Sequence, residues 1–171
     1  MMQMLQAGGL PLLTDFERKS DIDNPRGYCE WEPIKRLPQQ PDLIDRAEGK
    51  AVKIISELLL FVPIGRAYRL IFMERPLPEV LASQDQMLKR RGMEQSVDSD
   101  VLIHAFHDHI REVAAWLEQR TDVPLFRMGY RKVLSDPIGY AERICEFLGI
   151  DLDLEAMVRQ VDPALYRNRC P

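Results

Sequence analysis

The chain has 171 residues, enough for one domain with a substantial core, and its 46% hydrophobic and 29% charged residues read as soluble and globular. A net charge of -4 and a pI near 5.5 argue against binding to nucleic acid or to anionic membranes, which call for a basic surface. No stretch approaches the length of a membrane span, and the first residues lack the charged start and apolar core of a signal peptide, so a cytoplasmic protein is expected.

In chain order, residues 1–7 are good helix formers that stop at Gly8-Gly9. Residues 10–14 form a short strand candidate, 15–24 a polar loop, and Asn24-Pro25-Arg26-Gly27-Tyr28 a turn. Residues 34–48 read as irregular, with a helical turn near Leu43. The whole span 15–48 is long enough to be functional, as one wall of a substrate pocket. Residues 51–55 are a second strand candidate, ended by Ser56-Glu57, and 58–62 are a short apolar segment before a turn.

Leu70 to Met73 is a continuous apolar run of strand length, as suits the middle of a parallel sheet. Arg75 follows at the carboxyl end of that strand, where open α/β sheets bind their ligands. Pro76 and Pro78 suit the first turn of a helix that runs to about Arg91 and stops at Gly92. Residues 100–120 form the clearest amphipathic helix, with Leu102, Ile103, Phe106, Ile110, Val113, Ala114 and Leu117 expected to face the sheet. Residues 124–130 read as another strand. It leads to a helix capped by Asp136, started by Pro137 and ended by Gly149, with Ile138, Ala141, Ile144, Phe147 and Leu148 as its apolar stripe. Residues 154–161 form a last helix before a tail that includes Tyr166. Strands alternating with helices specify an α/β layer fold with a parallel sheet.

The strand, Arg75 and the helix carrying Ser83 eight positions later can bind one phosphate, by a guanidinium fork and a hydroxyl. A surface salt bridge and a buried hydroxyl would also fit that spacing. The segment resembles the 3'-phosphate-binding element of sulfotransferases that use 3'-phosphoadenosine 5'-phosphosulfate (PAPS). The run from Tyr130 through Val133-Leu134-Ser135-Asp136-Pro137 to Phe147-Leu148-Gly149 is similar to a second element of that family, in which the tyrosine borders the adenine. The resemblance implies a P-loop-type three-layer α/β/α fold with a parallel sheet. It also implies that the first strand and phosphosulfate loop of that fold would lie upstream of Met1, making 1–171 a single domain that is partial at its N-terminus and lacks its first strand.

The same resemblance implies PAPS as donor co-substrate and a small-molecule, glycan or peptide acceptor. Arg75, Ser83 and Tyr130 would bind the donor, Lys53 would assist the sulfonate, and Glu30 would be the base. Each has a plain structural alternative: a core tyrosine for Tyr130, a lysine reaching water for Lys53, a surface carboxylate for Glu30. His104, His107, Asp108 and His109 share a helix, yet no further ligand accompanies them and no metal is expected. Cys29, Cys145 and Cys170 are too scattered for a disulfide framework; Cys145 reads as helix core. Two other function classes compete: a noncatalytic remnant whose open sheet position pairs with a partner or a second copy, and another P-loop enzyme such as a small-molecule kinase.

Overall fold

Two five-residue strands, β1 (Leu70–Glu74) and β2 (Leu125–Gly129), run in parallel in a computed structural model that describes residues 1–15, 17–90, 92 and 99–167. Their register pairs Leu70 with Leu125 and Glu74 with Gly129. Pro124 limits the ladder at one end, since it has no N–H; its carbonyl still accepts from the Leu70 N–H at 2.9 Å. At the other end the chain turns into helix at Tyr130.

Alternation along the strands distributes the side chains to two cores. Ile71 and Met73 of β1, with Phe126 and Met128 of β2, join α1 (Met2–Ala7), α6 (Pro137–Leu148) and α7 (Leu154–Val158) around Met4, Leu5, Ile144 and Met157. Leu70, Phe72 and Leu125 join the other core, around Leu59 of α2 (Ser56–Leu59) and Val113 and Leu117 of α4 (Ser99–Gln119). Helices thus cover both faces of a small parallel sheet, an α/β arrangement. A third core of Trp31, Ile34, Leu37 and Ile44 lies in the long connection before α2.

Several expectations need correction. Among the described residues β1 pairs with β2 alone, and no described strand lies on its other side. The strand candidates at 10–14 and 51–55 meet in a single parallel bridge, Leu12 with Ala51, because Pro11 accepts from Ala51 N–H but has no N–H to extend the ladder. The stretch 34–48 is more ordered than its prolines imply. Pro33 and Pro41 start 3-10 helices, Glu32–Arg36 and Pro41–Ala47, which carry Ile34 and Ile44 into the third core. Ser56-Glu57 begins α2 rather than ending a strand, and the segment after β2 forms an unexpected helix, α5 (Tyr130–Ser135).

The helix after Arg75 is α3 (Leu77–Arg90); Gly92 follows with φ 66°, and Arg91 lies outside the described residues, as does Cys170. Ile110 and Ile138 stand exposed, outside the faces their helices bury. In α6 the Asp136 carboxylate accepts from Gly139 N–H at 3.1 Å, and Gly149 ends the helix in the left-handed conformation with φ 67°, as expected from the sequence. The last helix is shorter than expected, stopping at Val158 before a 3-10 turn, Pro163–Leu165. No described helix is long and apolar enough to cross a membrane.

Gly8 joins α1 to α7. A Cβ there would lie 2.7 Å from Met157 Cγ and 3.1 Å from Leu152 Cβ. Overpacking of this kind costs about 1–3 kcal/mol. Gly8→Ala is therefore expected to lower the urea midpoint without changing the slope of the transition.

Candidate functional site

Residues that leave two parallel strands at matched register emerge side by side. The Glu74–Gly129 pair therefore brings Arg75, just past β1, beside Tyr130 and Arg131, which open α5. The Arg75 guanidinium carbon lies 5.3 Å from the Tyr130 ring centroid and 5.7 Å from that of Tyr166. The two tyrosine rings meet edge to face at 5.5 Å. Cation–π attraction and aromatic packing hold this corner together.

At its centre is Glu79, in the first turn of α3 and 0% exposed. One carboxylate oxygen accepts from Arg75 Nε at 3.0 Å. The other accepts from Arg131, whose Nε lies at 2.8 Å, and from the Tyr166 hydroxyl. Burial alone would raise the carboxyl pKa, but hydrogen bonds from Tyr166, Arg75 and Arg131 outweigh it and hold the value at about 2. Burial and the bond to Glu79 push the Tyr166 phenol up. Ser83 lies one turn beyond Glu79 on the same face of α3, half-buried.

The other two expected site residues meet in a second cluster. Lys53 Nζ donates to Glu30 Oε1 at 3.0 Å and to the Tyr28 carbonyl at 3.3 Å. Arg18 Nη1 reaches both Glu30 oxygens at 3.2 Å, and its guanidinium carbon lies 3.3 Å from the Tyr28 ring centroid. The Tyr28 hydroxyl donates to Asp21. Partial burial pushes the Glu30 carboxyl up, while Lys53 and Arg18 more than offset this, so the net shift is downward. Gln3, Gln6, Thr14, Arg18, Tyr28 and Glu30 border a cleft of about 300 Å³. Longer links also fasten this loop region. Arg90 at the end of α3 pairs with Asp23, and Arg26 donates to the Gln160 carbonyl at 2.6 Å and to Asp162 at 3.0 Å.

The model of the sulfotransferase domain family matches residues 74–168, more than half of the chain. The chain belongs to that family. A sulfotransferase-type function follows in general terms, and with it an acceptor substrate of some kind. No curated protein and no solved structure matches the chain. Within this sulfotransferase chain the match takes in Arg75, Glu79, Ser83, Tyr130, Arg131 and Tyr166, while Glu30 and Lys53 precede it.

Sequence reasoning missed Glu79, Arg131, Arg18, Tyr28 and Tyr166. Glu79 had a legible signal, since it stands four residues after Arg75 and four before Ser83, on one helical face. Tyr166 had none: it arrives from 87 residues away in sequence. Of the histidines on α4, His109 Nε2 lies 2.8 Å from Ser56 Oγ, and the neighbouring Asp108 pairs with Arg111. Among the described residues no three His, Cys, Asp or Glu side chains gather as a metal site.

Proposed function

We propose that this chain takes part in sulfuryl transfer from PAPS to a hydroxyl or amine acceptor. The observation that carries the reading is Arg75, one residue past β1, with the Tyr130 ring 5.3 Å from its guanidinium carbon. A guanidinium fork is suited to a phosphate, and a flanking aromatic face to an adenine. In this scheme Arg75 and Ser83 bind the 3'-phosphate, and Tyr130 borders the base. The donor set fits that group: a guanidinium at a strand end, a hydroxyl from the next helix and an aromatic wall.

Bound PAPS supplies the activated sulfonate, and the remaining steps fall to side chains. Glu30, kept ionised at neutral pH, accepts the acceptor's proton as the acceptor oxygen or nitrogen bonds to sulfur. Lys53 neutralises charge on the phosphate oxygen released when the old sulfur–oxygen bond breaks, leaving adenosine 3',5'-bisphosphate. The Lys53–Glu30 contact of 3.0 Å supports placing the charge-neutralising cation and the base at one point. The cleft beside Glu30 offers hydrogen-bonding side chains from Gln3, Gln6, Thr14 and Arg18 to an acceptor, whether small molecule, glycan or peptide.

Calorimetric titration of the chain and of its Lys53→Met variant with PAPS, adenosine 3',5'-bisphosphate and 5'-AMP tests the scheme. The unaltered chain is expected to prefer the bisphosphate to 5'-AMP by at least about tenfold, the worth of one hydrogen bond to a charged group. Lys53→Met is expected to weaken PAPS more than the bisphosphate. Equal affinity of the unaltered chain for all three nucleotides would refute the donor assignment.

A further inference from the structure

Glu79 has no part in the scheme above, yet it is the buried acid of the whole corner. We propose that Glu79 is a positioning residue for the 3'-phosphate site, and that Arg131 is a second cation of that site, held beside Arg75 by the same carboxylate. The inference rests on the PAPS reading and extends it by two residues.

The geometry carries the argument. Arg75 belongs to the β1–α3 connection and Arg131 to α5, and a single carboxylate joins them, one oxygen to each. Two long cations would otherwise repel and sample many rotamers. Both side chains reach solvent from this anchor, Arg75 being 26% and Arg131 46% exposed. A buried anchor with solvent-facing guanidiniums is the arrangement expected of a preorganised anion clamp, in which the ordering cost is met before the ligand arrives. Tyr166 adds a hydroxyl donor to Glu79 and a ring 5.7 Å from Arg75 and 5.9 Å from Arg131, which restricts the carboxylate and both cations together. Helical spacing sets Ser83 one turn beyond Glu79 on the same face of α3.

A purely structural ion pair and a positioning role differ in what they do to ligand choice. The full chain and its Glu79→Gln and Glu79→Asp variants would be titrated with adenosine 3',5'-bisphosphate and with 5'-AMP. Glu79→Gln is expected to lose about tenfold or more in affinity for the bisphosphate and to bind 5'-AMP as before, with partial recovery in Glu79→Asp. Unchanged or tighter bisphosphate binding by Glu79→Gln would overturn the proposal, since the carboxylate would then be competing for the arginines. If Glu79→Gln fails to fold, Arg131→Ala removes a half-exposed side chain and is expected to give the same selective loss; unchanged selectivity there overturns the proposal. A failure of the PAPS reading is separately visible, because the unaltered chain would then not distinguish the two nucleotides, and the proposal would fall with it.

Discussion

Arg75→Ala is expected to lose most of the proposed preference for adenosine 3',5'-bisphosphate over 5'-AMP. Hydrogen bonds to charged groups contribute about 1.5–3 kcal/mol, so the bisphosphate is expected to bind roughly 10- to 150-fold more weakly. Binding of 5'-AMP, which has no 3'-phosphate, is expected to change little. The substitution also removes one of the donors to Glu79, so thermal unfolding should be followed in parallel. Arg75→Lys separates the two effects: it restores a positive charge without the planar fork and should recover only part of the affinity. Equal losses for both nucleotides would mean that Arg75 supports the fold and does not contact a 3'-phosphate.

Acidification is expected to strip stability from this corner in a defined window. The Glu79 carboxyl titrates at about 2 in the folded chain, against an ordinary value of 4.5. Between those values the unfolded chain binds a proton that the folded chain refuses, so stability falls as pH falls. The contribution is complete above the ordinary value and disappears as pH drops toward about 2. Glu79→Gln cannot titrate there. Urea unfolding from neutral pH into acid should therefore find the largest gap between the two proteins near neutrality, closing through the acid range. Asp15, Asp21, Asp45, Asp122 and Glu30 are also shifted down, but they are common to both proteins and cancel in the difference. A gap that stays constant would show that the ion pairs at Glu79 do not set its titration.

Local chemistry made much of this legible. Asp136-Pro137 and Gly149 marked both ends of α6, and the apolar run at Leu70 marked β1, because caps and short-range periodicity act within a few residues. The pairing of Lys53 with Glu30 was only half visible. Each was singled out on its own, and the contact between them depends on how a long irregular loop returns to the chain at residue 53. The order in 34–48 was hidden because proline reads first as a breaker, although at a first helical position it starts a turn. Arg131 and Tyr166 were out of reach. Their roles come from strand register and from a C-terminal segment folding back, and neither leaves a mark in local spacing.

Among the described residues the loop that carries Tyr28 and Glu30 joins no ladder, and side chains tie it to distant parts of the chain. Arg90 holds it to the far end of α3, and Arg26 holds it to the segment just before Tyr166. The Arg90–Asp23 and Arg26–Asp162 ion pairs lie near water, where dissolved ions weaken attraction over a Debye length of about 8 Å at physiological strength. The apolar cores beneath have no such sensitivity. The wall of the cleft is thus a guyed structure on a fixed mast, with a tension that the surrounding electrolyte adjusts.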